Sequence, residues 1–328
     1  MDFRFTEDQL NLREAIRDYL TGEHTPEVLR RLDVEGGRDA AIWDGLIGMG
    51  IGGLLVPEAE GGLGMGLIEA AIVAVELGRA NVSEPIADTA LVATPLLGSD
   101  QRAAIAAGAL KVALAHPINP WIADLDSADM VLAGEAALPA PEDPAPVDTV
   151  DPLRRLFAPI ECAADDRLLD RAALIAAAQL IGGAERMLEL ATDYAKTREQ
   201  FGQPIGSFQA IKHHLATVAV KLEFARPVLW RAAYAAQQRA ARTPIHISHA
   251  KVAATDAAML AAETAIQVHG AMGYTYEVDL HFWMKRAWAL AGAWGDRAWH
   301  QRRIEAAVIG GGMAIGPETT FASELNHG

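Results

Sequence analysis

The chain has 328 residues, with 28 lysines and arginines against 43 aspartates and glutamates, a formal charge of −15 at pH 7. Apolar residues make up 51% but aromatics only 6%, so the core is aliphatic and leans towards Ala and Leu, the strongest helix formers. The length suggests two or three structural units, the acidity argues against a general binder of nucleic acid or anionic membranes, and a single cysteine, Cys162, excludes an internal disulfide or a thiolate metal cluster.

The N-terminus, with Asp2, Arg4, Glu7 and Asp8, lacks the apolar stretch of a secretory signal. No apolar run reaches the roughly 18 residues that span a bilayer, so a soluble cytoplasmic protein is expected. The first hundred residues read as short helices. Thr6 with Gln9 fits a capping box, followed by Leu10, Arg13, Ile16 and Leu20 at helical spacing up to Gly22. Thr25-Pro26 opens a second helix with proline at its favoured first position. The segments 39–48, 67–78 and 83–97 look like three more, separated by turns at Val56-Pro57-Glu58 and Gly61-Gly62-Leu63-Gly64. Residues 1–110 are therefore expected to form one helical domain.

Composition then changes. Eight of the sixteen prolines fall between Pro117 and Pro159, too dense for helix interior, alongside β-leaning snatches at 111–115 and 130–132. Residues 111–165 read as a small, irregular, partly β insert. From about Asp166 helices return and lengthen. One spans 168–196. A second takes Ser207 as N-cap and carries Phe208, Ile211, Leu215, Val218, Leu222, Ala225 and Leu229, the seam of an antiparallel bundle, with Pro227 expected to kink it near its end. A third spans 249–269 and a fourth runs from about 278 towards 308. Residues 166–328 are expected to form a four-helix bundle. Acidity is unevenly shared: residues 1–150 hold 9 basic and 25 acidic residues (−16), and residues 151–328 hold 19 and 18 (+1). A phosphate-bearing ligand meets less repulsion in the second half.

Gly48-Met49-Gly50-Ile51-Gly52-Gly53 matches a dinucleotide fingerprint, but that motif needs a strand before it and a helix after it. A helix precedes it here, so a tight interhelical turn is the better reading. His246 with His249 and His213 with His214 lack a third ligand in a recognisable pattern, and no metal site is expected. The segment from Thr197 to Gln209 is more informative. A helix ends on Arg198, the chain turns through Gly202 and Gly206, and a new helix starts, presenting a guanidinium and free N–H groups together, a geometry suited to a pyrophosphate.

Arg198-x-x-Phe201-Gly202 followed by Phe208-Gln209 resembles the acyl-CoA dehydrogenase signature. Gln267-Val268-His269-Gly270-Ala271-Met272-Gly273-Tyr274 is similar to that family's second flavin-contacting turn. Leu54-Leu55-Val56-Pro57-Glu58, Gly61-Gly62-Leu63-Gly64 and Glu76-Leu77-Gly78-Arg79 resemble its N-terminal domain. The resemblance covers both helical blocks and implies a mainly α fold: an N-terminal helical domain, a middle β domain and a C-terminal four-helix bundle. It implies FAD as cofactor, an acyl-CoA substrate, and an electron-transfer flavoprotein as acceptor. By resemblance Arg198 would contact the pyrophosphate, Phe201, Phe208 and Gln209 would surround the adenosine half, and Gln267, Gly270 and Ala271 would line the same nucleotide, on a flavin held mainly by a neighbouring subunit.

Two departures from the family stand out. Only residues 111–162 replace a longer β barrel, and Ala115-His116-Pro117 is all that resembles its flavin-covering loop. The glutamate that would take the substrate's α-proton is missing at both family positions, which are Trp294 and Ala172 here. Asp296 is the nearest carboxylate and a candidate base, with Asp170 another; the competing reading of Asp296 is a surface or N-cap aspartate. Four of the seven tryptophans, at 283, 288, 294 and 299, crowd the same stretch. Lys285-Arg286-Ala287, Gly295-Asp296 and Trp299-His300 resemble the short subunits of steroid side-chain-degrading dehydrogenases, which form α2β2 heterotetramers. Three functions follow as expectations: a subunit whose full-length partner supplies the base, a self-sufficient homo-oligomer using Asp296, or a non-catalytic scaffold.

Overall fold

The computed structural model describes residues 4–36, 38–311, 313 and 316. Helix α1 (Glu7–Glu23) opens on the capping box: Thr6 Oγ1 accepts from the Gln9 N–H at 3.2 Å and Gln9 Oε1 accepts from the Thr6 N–H at 3.0 Å. Helix α2 (Pro26–Glu35) starts on its proline, and α3 (Ala40–Gly48) is capped by Asp39. The glycines at 48–53 make a turn leaving α3, with Gly50 at φ +86°, not the strand-to-helix junction of a nucleotide fingerprint.

Helix α4 (Leu67–Ala80) is buried along most of its length. The segment 83–97 is not the regular helix expected from its pattern. Residues Ala87–Ala93 form a π-helical turn and Thr94–Leu96 a 3₁₀ turn. Pro95 has no N–H to continue the ladder, and threonine side chains add bonds around the turn and to the next strand. Thr94 Oγ1 donates to Thr89 O, and Thr89 Oγ1 accepts from the Val112 N–H at 3.0 Å. Helix α5 (Ser99–Ala106) follows.

The middle segment holds two small sheets. In the first, β1 (Val112–Ala115) pairs parallel with β3 (Met130–Ala133), which pairs antiparallel with β4 (Ala136–Pro139). In the second, β6 (Leu156–Phe157) lies between β2 (Ile122–Ala123) and β5 (Pro146–Val147). The sheets do not close into a barrel, as expected of an insert this short.

The long helices are α6 (Asp166–Thr197), α7 (Gln209–Gln237) and α8 (Thr243–His269), with the hairpin β7 (Glu199–Gln200) and β8 (Gln203–Pro204) between the first two. Helix α4 lies directly on α6 because glycines meet there. A Cβ on Gly182 would stand 1.9 Å from Val75 O, and one on Gly78 would stand 2.1 Å from Gln179 O. Three expectations need correction. Phe208, not Ser207, is the N-cap of α7; Ser207 sits in a 3₁₀ turn and donates to Pro204 O at 2.7 Å. Helix α8 begins at Thr243, earlier than its apolar pattern suggested. The fourth column of the bundle is split into α9 (Leu280–Gly292) and α10 (Arg297–Ile309), because Trp294 and Gly295 take left-handed φ values of +59° and +88°. Helix α7 runs unbroken through Pro227. No described helix is long and apolar enough to cross a membrane.

Candidate active site

Helices α6 and α8 end at the same side of the bundle, where the ring of Tyr194 stacks on that of His269 with centroids 4.3 Å apart. This stack brings together the two turns singled out in the sequence. Arg198 closes α6: its N–H donates to Tyr194 O and its C=O accepts from the Ile205 N–H, both at 2.8 Å. Its guanidinium is exposed and has no partner among the described residues. Phe201, at φ +54° and 92% exposed, meets the edge of Phe208 at 6.1 Å. Helix α7 then begins at Gln209 with no side chain capping its first N–H groups, which leaves those donors and the positive end of a 29-residue helix facing outward.

Gln267 and Ala271 are exposed on the neighbouring turn. Gly270 takes φ +60° with open space where a Cβ would be. The seven residues Arg198, Phe201, Phe208, Gln209, Gln267, Gly270 and Ala271 are therefore grouped at one end of the bundle. Their chemistry suits the diphosphate and rings of FAD: an unpaired cation, open helix donors, glycine backbone and exposed aromatic edges.

The second place of interest is the break between α9 and α10. The indole of Trp294 is only 3% exposed. It lines a cavity of about 30 Å³ together with Ala172 and Ala176 from α6, Asp88 from the π-helical turn, Arg154 and Arg286. The two positions that resemble the family's glutamate sites thus meet on one cavity, and neither carries a carboxyl group. Asp296 caps α10, its Oδ1 accepting from the Trp299 N–H at 2.7 Å, and it is exposed. Asp170 is paired with Arg303 across α6 and α10. Of the four crowded tryptophans, Trp283 and Trp294 are core residues, whereas Trp288 is exposed; Trp283 Nε1 donates to Arg79 O at 2.8 Å.

Several groups around this break escaped the sequence reading. Asp88 shares the cavity with Trp294, together with Glu84 and Asp124. Burial pushes its acid up to about 6, against the opposing pull of Arg154 and Arg286. Lys251 of α8 is fully buried and donates to Leu290 O, Ala291 O and Gly295 O at 3.0, 3.1 and 3.2 Å; burial lowers its ammonium to about 7. His300 is also fully buried, lowered to about 4 by burial first and by Lys251 second. It is therefore a neutral ring near pH 7. Its Nε2–H donates to Trp294 O at 2.9 Å, and Nδ1 accepts from Ser248 Oγ at 3.0 Å. Nothing in the local sequence marks these residues, since their burial arises from packing between distant helices.

The amino-acid segments 6–102 and 163–309 match the family models of the acyl-CoA dehydrogenase N-terminal and C-terminal domains. The chain is 36% identical over 299 residues to the acyl-CoA dehydrogenase IpdE2 of Mycobacterium tuberculosis, covering 86% of this chain and 91% of that one. Its structure is similar to the ChsE4-ChsE5 complex from Mycobacterium tuberculosis (TM-score 0.80, 26% identity, 94% and 99% covered). It shares its fold with butyryl-CoA dehydrogenase from Megasphaera elsdenii (TM-score 0.82, 21% identity, 94% and 100% covered). The chain belongs to the acyl-CoA dehydrogenase family, FAD-dependent oxidoreductases that act on acyl-CoA thioesters.

Proposed function

We propose that this chain is one subunit of a hetero-oligomeric acyl-CoA dehydrogenase, an α2β2 assembly in the simplest case, whose full-length partner provides the catalytic carboxylate and most of the flavin pocket. One observation carries this reading. The seven residues that resemble the family's FAD contacts are all present and mostly exposed, while the two positions that resemble the family's glutamates are Trp294 and Ala172, on one small cavity. In such an assembly Arg198 and the N–H groups opening α7 would hold the diphosphate of the partner's FAD. Phe201, Phe208 and Gln209 would border its adenosine half, and Gln267, Gly270 and Ala271 its other edge. Bound FAD supplies the acceptor for the hydride that leaves the substrate's β-carbon. The residues of this chain orient that cofactor and shield it from water; the α-proton goes to a carboxylate of the partner.

The capping bond of Asp296 to Trp299 supports a structural part for that residue and weighs against the self-sufficient reading. A non-catalytic scaffold would have no use for an exposed, unpaired Arg198. An electron-transfer flavoprotein is the natural reoxidant, and a large apolar or steroid acyl group the natural substrate by analogy with the short subunits of steroid-degrading enzymes. A cytoplasmic location and a division near residues 110 and 165 fit the same reading. Co-expression with a full-length dehydrogenase encoded beside it is expected to give a yellow complex that oxidises acyl-CoA, with Asp296→Asn retaining activity. A colourless, inactive mixture would overturn the assignment, and so would a yellow, active protein purified alone.

A further inference from the structure

We propose that Trp294 is a plug that shuts this chain's own acyl cleft, and that Lys251 and His300 are the positioning residues that keep it seated. The proposal rests on the hetero-oligomer reading, in which turnover does not need this cleft. Its physical basis is a strained turn held from several sides. A tryptophan at φ +59° is in the left-handed region that non-glycine residues disfavour, so the conformation persists only where its surroundings impose it.

Those surroundings come from three separate parts of the chain. From the middle segment, Asn119 Oδ1 accepts the Trp294 N–H at 2.8 Å, and the His116 ring lies 6.4 Å from the indole. From α10, His300 donates to Trp294 O. From α8, Lys251 donates to the last carbonyls of α9 and to Gly295 O. A buried ammonium at a helix C-terminus stands where the macrodipole favours a cation and where carbonyls lack helical partners. Both peptide groups of Trp294 are thereby bonded, and the indole is held at the small cavity that Ala172 and Ala176 also line. The space left beside it, about 30 Å³, holds a water molecule or two and no acyl chain.

Binding of butyryl-CoA to the purified chain alone, followed by calorimetry, tests this. The wild-type chain and Trp294→Phe are expected to show no saturable binding, and Trp294→Ala to bind at least about tenfold more tightly than either. Lys251→Met, His300→Leu and Asn119→Ala loosen the turn without removing the indole. They are expected to gain binding as well, with helical circular dichroism intact; these variants carry the test if Trp294→Ala does not fold. Wild type binding as well as folded Trp294→Ala overturns the plug, as does a folded Trp294→Ala that binds nothing. Lys251→Met and His300→Leu that merely melt earlier while the cleft stays shut overturn the positioning role. A colourless mixture with the partner would remove the hetero-oligomer assignment and leave these binding results standing, so the two failures are distinguishable.

Discussion

Arg198 and Asp88 are both charged groups without an ion-pair partner at bonding distance among the described residues, and their settings give them opposite meanings. Arg198 lies in water, where an unpaired guanidinium costs little and is available to a phosphate. Replacing it by glutamine is expected to weaken FAD retention by the assembled complex by about tenfold or more, the worth of a charged hydrogen bond. A fluorescence titration of the flavin checks this, and the helicity of the chain should not change. Asp88 sits where its charge is poorly solvated. Its folded acid constant, about 6, lies above the ordinary 3.8, so the folded state carries a penalty that is fully present above pH 6 and absent below about 3.8. Asp88→Asn should therefore stabilise the chain by about 2 kcal/mol at pH 8, with the gain fading as the pH falls to 4, measured by urea unfolding at both values. The contrast explains what could be read from sequence. Arg198 and Gln267 belong to continuous runs whose geometry is local, so their motif carries them. Asp88, Lys251 and His300 acquire their setting only from helices far away in the chain.

At the level of elements, the apolar periodicity of α6, α7 and α8 gave their existence and their faces, because one buried stripe governs each. It failed where backbone groups find partners other than their own helix. The π-helical turn Ala87–Ala93 bonds into β1 through Thr89, and the expected fourth helix breaks because Lys251 and His300 take carbonyls that would otherwise continue it. Glycine at close helix contacts is the other feature that a periodic pattern hides. Gly182→Ala must push α6 away from Val75 of α4, and is expected to cost about 3 kcal/mol or more. Gly22, in α1, has open space on the side where a methyl group would stand, with nothing within 4 Å. Gly22→Ala should instead stabilise by about 0.5–1 kcal/mol. Thermal unfolding of the two variants side by side would show opposite shifts.

For the whole molecule, buried histidines set the response to acid. His24 and His300 are both lowered to about 4 by burial, whereas the unfolded chain takes up these protons near 6.5. The unfolded state binds more protons throughout that window, so stability drops as the pH falls from 6.5 to 4. The expected loss is of order 3 kcal/mol for each ring. The raised acid of Asp88 offsets part of it. His300→Leu should flatten the acid limb of a plot of urea midpoint against pH, and an unchanged slope would contradict the neutral-ring assignment.

Arg286 reaches from α9 to Asp151 in the middle segment and donates to Val82 O at 2.8 Å behind α4. A ribosome delivers these groups far apart in time: Val82 and Asp151 emerge first, and their guanidinium only once α9 has been made. Until then Asp151 and the Val82 carbonyl lack that donor, although α6 has already emerged to pack on α4. Completion of the early-synthesised half is thereby tied to the last helices. A chain cut short before α9 would lack that guanidinium and leave the Asp151 carboxylate and Val82 carbonyl without the buried donor that joins the two halves.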